Sequence, residues 1–524
     1  MLAGCKLLPF PGRETMDIKI PFLAFFFLVL LHKLIRSYTT TPSHTKPSSL
    51  RLPPGPWQLP LIGSLHHLLL SPLRDLPHRA LLEMSKTHGS LMLLRFGSVP
   101  TLVVSSAEAA REVMKTHDLA FCSRHLSTTI GIISCGGKDI IFSHYNDRWR
   151  ELRKLCMLEL FNQRRVLSFR PVREEEVANL IRSVSGECAG GGRTVNLGEA
   201  ICHAINDIAV RTAIGGRCRY QDEYLRELDE AVRLTGGFNL ADLYPSSRLV
   251  RRISAAARDM TRCQRNMYRI IESIIKERAA MPTPEREEDL LGVLLRLQRE
   301  GGLQFDLTNE IVSTVIFDIF SAGSETSSTV LVWAMAELIK NPRVMHKVQA
   351  EVRETFKGQD KLTESDMVKL RYLHLVIKET LRLHAPVPLL LPRECRETCR
   401  VMGYDVPKGT KVFVNVWAIS RDNKFWHDGE EFRPERFDGS SIDFKGTDFE
   451  YTPFGAGRRI CPGITLGLAN AELLLASLLY HFDWELPDGA KPEELDMSEA
   501  FGITLRKKSR LWLKAKPYVN VVSN

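Results

Sequence analysis

The chain has 524 residues, 44% hydrophobic and 25% charged, with a formal net charge of +9, a composition that excludes an intrinsically disordered protein and is ample for a large core. Its 11 cysteines are odd in number and include no CxxC pair, which argues against a disulfide scaffold or a structural zinc site and for a reducing compartment. No arginine-rich tract or zinc-finger spacing accompanies the positive charge, so it points to an anionic membrane surface or an acidic partner, not to nucleic acid.

At the amino terminus, Ile20 to Leu31 are wholly apolar (IPFLAFFFLVLL), and Leu34 and Ile35 extend the run. That is near the lower limit of about 20 residues for crossing a bilayer. Lys33, Arg36, Lys46 and Arg51 follow it, and basic residues tend to stay on the cytosolic side. Residues 16–36 are therefore expected to be a transmembrane signal anchor with the bulk of the chain in the cytosol. A cleavable signal peptide is the alternative, but no small-residue cleavage site follows. Met16 begins what reads as a complete anchor, leaving residues 1–15 as a dispensable extension. Residues 37–56 start rich in Ser, Thr and Pro and end at Pro53-Pro54-Gly55-Pro56, the composition of a linker that stiffens into a hinge.

Residues 57–524 contain no second long linker and are expected to form one domain, mostly α with minor β. Apolar spacing of three and four predicts helices over Ala107–Thr116, Asp222–Leu234, Ser254–Arg278, Asn309–Lys340, Pro342–Phe356 and Glu364–His384. Alternation predicts short strands at Leu91–Phe96, Thr101–Val104 and Lys411–Val416. Within Asn309–Lys340, the stretch Phe317-Asp318-Ile319-Phe320-Ser321-Ala322-Gly323-Ser324-Glu325-Thr326-Ser327 is a polar, small-residue interruption, and Gly323 costs a helix interior about 1 kcal/mol. Glu379 and Arg382 are three apart and share a helix face. Further on, in Phe454-Gly455-Ala456-Gly457-Arg458-Arg459-Ile460-Cys461-Pro462-Gly463, the glycines allow a tight turn beside a flat cofactor. Pro462 is expected in the first turn of the next helix. That would put Cys461 at a helix N-terminus, where the dipole favours a thiolate.

Phe454, Gly457, Arg459, Cys461 and Gly463 match FxxGxRxCxG, and on that motif the chain resembles the cytochrome P450 superfamily. From the anchor to the carboxyl terminus it is most similar to plant microsomal enzymes of family 71, many of which oxidise terpenoids, phenylpropanoids or alkaloids. The resemblance implies a helical triangular-prism fold around haem b, with Cys461 as the iron ligand, and a monooxygenase that draws electrons from NADPH. Lacking a nicotinamide or flavin fingerprint of its own, the chain is expected to receive those electrons from NADPH-cytochrome P450 reductase, with cytochrome b5 as a second donor, at the endoplasmic reticulum membrane. Arg148, Arg150, Lys154, Arg164, Arg165 and Arg458 would form the basic dock for such a donor.

The same resemblance assigns roles. Ala322 and Gly323 would leave room for O2, with Glu325 and Thr326 as the acid–alcohol pair that delivers protons. Trp149, Arg153, Arg393 and Arg459, together with Ala322, Phe454 and Gly463, would hold the haem. Glu379, Arg382 and Arg436, the last in Pro434-Glu435-Arg436-Phe437, would form a structural triad supporting the cysteine loop. Phe317, Val387, Leu391, Phe501 and Ile503 would contact an apolar substrate, with terpenoid hydroxylation expected first and oxidation of an alkylated phenolic, phenylpropanoid or alkaloid as the alternative. An isomerase or dehydratase that inserts no oxygen is disfavoured by the intact Glu325–Thr326 pair. A non-catalytic membrane haem protein would need neither that pair nor the basic dock.

Overall fold

The computed structural model describes residues 50–518 except 189–193, 237, 281–288 and 360–361. The expected extension 1–15, the anchor 16–36 and most of the linker 37–56 lie outside the described residues.

The elements that build the site are the helices α1 (Asp147–Leu155), α2 (Leu197–Ile214), α3 (Ala255–Ala279), α4 (Asn309–Lys340), α5 (Arg371–Leu383) and α6 (Ile464–His481). The strands β1 (Leu91–Phe96), β2 (Val99–Val104), β3 (Ser123–Arg124), β4 (Arg393–Glu394) and β5 (Lys411–Val414) form a sheet in the order β1-β2-β5-β4-β3. Only the β2–β5 pair is parallel, with Thr101 opposite Lys411 and Val104 opposite Val414. A hairpin of β6 (Glu499–Phe501) and β7 (Leu505–Lys507) stands apart from that sheet.

Helix α4 is apolar on all sides except at its polar stretch, and it runs through the middle of the molecule against α2, α3, α5 and α6. Thr308 caps it by accepting the Ile311 N–H at 3.3 Å, which satisfies one of the donors a helix start leaves free. The cost of Gly323 is offset by packing: a Cβ there would lie 3.7 Å from the Ala209 methyl of α2, so the glycine brings the two helices close. Ser324 seals the same contact by donating to Asn206 Oδ1 at 3.1 Å.

Helix α6 is long and apolar enough to cross a membrane, but 67% of its span is buried inside the protein, so it is a core helix. Two predicted helices are interrupted. Glu364–His384 divides into a 3-10 turn, Glu364–Lys369, and α5, because Leu370 between them leaves helical geometry at ψ 74°. Ala107–Thr116 begins as an α-turn to Arg111 and widens into a π-turn, Glu112–Thr116. Pro462 also falls outside its predicted helix: α6 begins at Ile464 with Gly463 as its cap.

Candidate active site

The cysteine loop is held by backbone geometry. Gly457 has φ +67°, and a Cβ there would strike the Met114 carbonyl and the Asp118 carboxylate, so only glycine fits. Asp118 is the post to which the loop is tied. It accepts from the Arg458 N–H at 3.1 Å, from the Arg458 guanidinium at 2.8 Å and from Arg393 Nη1 at 3.3 Å. The loop closes when Cys461 N–H donates to the Phe454 carbonyl at 3.0 Å. Burial pushes the Cys461 thiol up, while the Gly463 N–H and the Arg153 charge favour its thiolate. Pro462 has no N–H to offer the sulfur, and Gly463 supplies one instead.

Behind this loop, Glu379 and Arg382 are both fully buried. Arg382 donates to both carboxylate oxygens of Glu379, at 2.7 and 2.9 Å, and Arg436 Nε donates to Glu379 at 2.8 Å. The remaining Arg382 donors reach the carbonyls of Ser420, Gly429 and Glu431. The three residues expected to form a triad thus meet, and they tie α5 to the segment preceding the cysteine loop.

Cys461 opens on a cavity of about 260 Å3, and Arg153, Ala322, Thr326, Val387, Leu391, Arg393, Phe454, Arg459 and Gly463 line it as well. On α4, Asp318, Ala322 and Thr326 follow one another at four-residue spacing and share the face toward this cavity. Thr326 donates to the Ala322 carbonyl at 2.8 Å.

Other expected residues lie elsewhere. Glu325 faces away from the cavity: it accepts from Thr504 Oγ1 at 2.5 Å and from Arg506, which also pairs with Asp229. Phe317 stacks on Tyr268 with ring centroids 5.3 Å apart and is absent from the cavity wall. Phe501 and Ile503 line a second, smaller pocket that shares Val387 and Leu390 with the first. Trp149 sits behind the wall, where its N–H donates to the Ile140 carbonyl at 2.9 Å and its ring lies 3.8 Å from the Arg459 guanidinium.

The cations around the cavity determine what it can hold. Arg459 donates to the Cys122 carbonyl at 2.6 Å and to the Ser143 carbonyl at 2.5 Å, and its Nη1 has no partner among the described residues. Burial and the neighbouring Arg393 and Arg153 pull its guanidinium down to about 9. Arg393 reaches the Ala456 carbonyl at 2.8 Å besides Asp118. Arg124, a residue the sequence reasoning missed, is buried and among the described residues donates to the carbonyls of Ile141 and Leu391, at 3.0 and 2.9 Å. These are buried cations resting mostly on neutral carbonyls, a costly arrangement unless anionic oxygens complete it. Asp139, whose Oδ1 accepts the Phe142 N–H at 2.9 Å, is itself pushed up to about 7 by burial. An apolar slot with a thiol on its wall and clustered arginines short of anions fits a flat, dianionic haem b, whose propionates Arg124, Arg393 and Arg459 would be the residues to meet.

Asp318 is another residue the sequence reading passed over. It accepts the Ile140 N–H at 2.9 Å, while its Oδ1 has no partner. Burial and the adjacent Asp139 hold its carboxyl well above the usual range, which places a neutral acid on the cavity wall.

A family model described as Cytochrome P450 matches residues 53–513. The chain is 54% identical over 474 residues to dolabradiene monooxygenase of Zea mays, covering 90% of this chain and 93% of that one. It is 51% identical over 494 residues to ent-cassadiene hydroxylase of Oryza sativa subsp. japonica, covering 92% and 94%. It is 46% identical over 503 residues to cytochrome P450 71D7 of Solanum chacoense, covering 95% and 98%. A solved zebra fish cytochrome P450 with abiraterone superposes with a TM-score of 0.72 at 27% identity, covering 85% of this chain and all of that one.

Proposed function

This chain belongs to the cytochrome P450 family, and from that premise we propose that it hydroxylates a terpenoid of largely hydrocarbon character, using NADPH electrons delivered by a reductase at the endoplasmic reticulum. Membership implies a haem monooxygenase that uses O2, a redox partner and an apolar substrate. The carrying observation is that Cys461 and Thr326 line one predominantly apolar cavity. Relatives named for dolabradiene and ent-cassadiene support a terpenoid in it.

When bound, the haem would supply the iron chemistry that activates O2. Cys461 would be that ligand, its charge tempered by the Gly463 N–H. Thr326 would turn its hydroxyl from the Ala322 carbonyl toward the oxygen side and pass protons there. Ala322 and Gly323 keep that wall low, and Val387 and Leu391 would orient the substrate by shape. Glu325 would contribute only on leaving Arg506, so the alcohol of the expected pair carries the nearer role. On the cysteine side, Arg153 Nη2 donates to the Ile460 carbonyl at 2.5 Å. Arg150, Lys154, Arg164 and Arg458 are exposed and would dock NADPH-cytochrome P450 reductase or cytochrome b5.

The test is the carbon-monoxide difference spectrum of the reduced, purified protein. The expected result is the red-shifted Soret band of a thiolate-ligated haem, lost in Cys461→His. An unshifted band in the wild type overturns the ligand assignment. Assembly with reductase and NADPH should then oxidise an olefinic diterpene, and turnover of phenolics alone would exclude the terpenoid reading.

A further inference from the structure

Strand β5 reads Lys-Val-Phe-Val, and its faces alternate. Val412 and Val414 pack into one apolar cluster, and Phe413 packs into another on the opposite side. Lys411 shares the Phe413 face, is only 6% exposed, and lines the smaller pocket with Phe413, Val387, Leu390, Phe501 and Ile503. A lysine is rarely buried without a partner. Here, among the described residues, no hydrogen bond or ion pair reaches its ammonium. Its contact is the Phe413 ring, 4.3 Å from Nζ to centroid. The charge that attracts it, Asp242, is already saturated by the Thr129 N–H at 2.8 Å, the Thr129 hydroxyl at 2.6 Å and the Asn239 amide at 2.7 Å. The other titratable group facing this region is His125, which burial keeps neutral. Glu394 lies 3.4 Å from its Nδ1, and neither ring nitrogen makes a hydrogen bond.

Taking an ammonium out of water costs several kcal/mol unless an anion meets it. Lys411 has been taken out of water, and among the described residues no anion comes within ion-pair distance of it, Asp242 acting only through its charge. The pocket it faces adjoins the main cavity, with Val387 and Leu390 lining both. Leu390 stands there at φ +49°, a strained conformation of the kind retained at ligand clamps.

We infer that Lys411 is a specificity residue, a cationic subsite at the far end of the substrate cavity that takes the carboxylate of an otherwise hydrocarbon ligand. The carboxylate pairs with Nζ beside Phe413, the hydrocarbon body passes Val387 and Leu390, and the distal carbons reach the Cys461 end. The substrate class is therefore a terpenoid acid oxidised away from its carboxyl group. This rests on reading the larger cavity as the substrate site.

The experiment uses the full-length haem-loaded protein. A tricyclic diterpene hydrocarbon, the corresponding carboxylic acid and its methyl ester are each titrated while the Soret band is followed. The acid is expected to bind about tenfold more tightly than the ester in the wild type. Lys411→Met should bring that ratio to about one, and Lys411→Arg should keep it. Equal acid-to-ester ratios in wild type and Lys411→Met overturn the inference, the pocket then holding water alone. A hydrocarbon shift in that case leaves the larger-cavity reading standing, and no shift with any probe overturns both. Should Lys411→Met fail to take up haem, pH decides within the wild type. Burial leaves the amine at about 8, so the acid's advantage should shrink between about pH 7 and pH 9 as the cation is lost, and a constant ratio contradicts a lysine contact.

Discussion

Thr326 spends its hydroxyl on the carbonyl one turn back, a bond that any helical threonine can make, so its placement on the cavity wall distinguishes it. Thr326→Ala should leave haem content intact and lower product formed per NADPH consumed several-fold, with the missing electrons recovered as peroxide. Unchanged coupling would remove the hydroxyl from proton delivery. Glu379 is a different kind of residue, fully buried and accepting from two arginines. Glu379→Gln leaves Arg382 and Arg436 underbalanced, a loss of about 3 kcal/mol. It should appear as failure to retain haem in the purified protein, before any change in product profile; a haem-replete variant would deny Glu379 its supporting role. Residues such as Cys461, Thr326 and Glu379 were legible because each lies in a short segment whose neighbours constrain it. Arg124 was not. Its partners are Ile141 and Leu391, far apart in the chain, and nothing in Ser123-Arg124-His125 signals that tertiary structure will bury it.

At the scale of elements, the long helix α4 was read to its ends because its apolar pattern resumes on both sides of the polar stretch and Thr308 caps it. The break at Leu370 was hidden because that residue is itself apolar and fully buried, so the helical pattern runs through it while the backbone does not. The β6–β7 hairpin shows why the acid and the alcohol separate. Trp333 N–H donates to the Leu505 carbonyl at 2.9 Å, and Arg506 grips Glu325 from the same hairpin, so neighbouring residues on one helix face different surroundings. Arg506→Met should strand Glu325, costing roughly 2 kcal/mol after allowance for the partial exposure of the arginine. Because the hairpin carries Phe501 and Ile503, regioselectivity should shift with it. Chemical denaturation and product analysis would read both effects, and unaltered stability would mean the pair contributes nothing.

Across the whole molecule, buried titratable groups set the response to acid. His481 has an unpartnered Nδ1 in the core, and burial lowers its imidazole to about 4. Above its unfolded value, near 6.5, both states are neutral and pH has no effect. Below it the unfolded chain binds the proton first, so stability falls between about pH 6.5 and pH 4. Asp139, raised to about 7, has the opposite slope over much of that range, since the unfolded carboxyl ionises first as pH rises. The informative quantity is therefore the difference from His481→Phe, which should be about 2 kcal/mol less sensitive to acid across that window; parallel curves would place the histidine in water.

The fold class was legible because it depends on local pattern, and the same kind of pattern singled out Cys461. The second pocket was not, since it forms only where β5, the Val387–Leu390 turn and the β6–β7 hairpin converge. The central claim, that this chain inserts one atom of O2 into a terpenoid, is tested most directly by turnover with reductase and NADPH under oxygen-18 gas. The expected product is a hydroxylated terpenoid carrying one oxygen-18 atom. A product without the label, or one labelled only from oxygen-18 water, would contradict it.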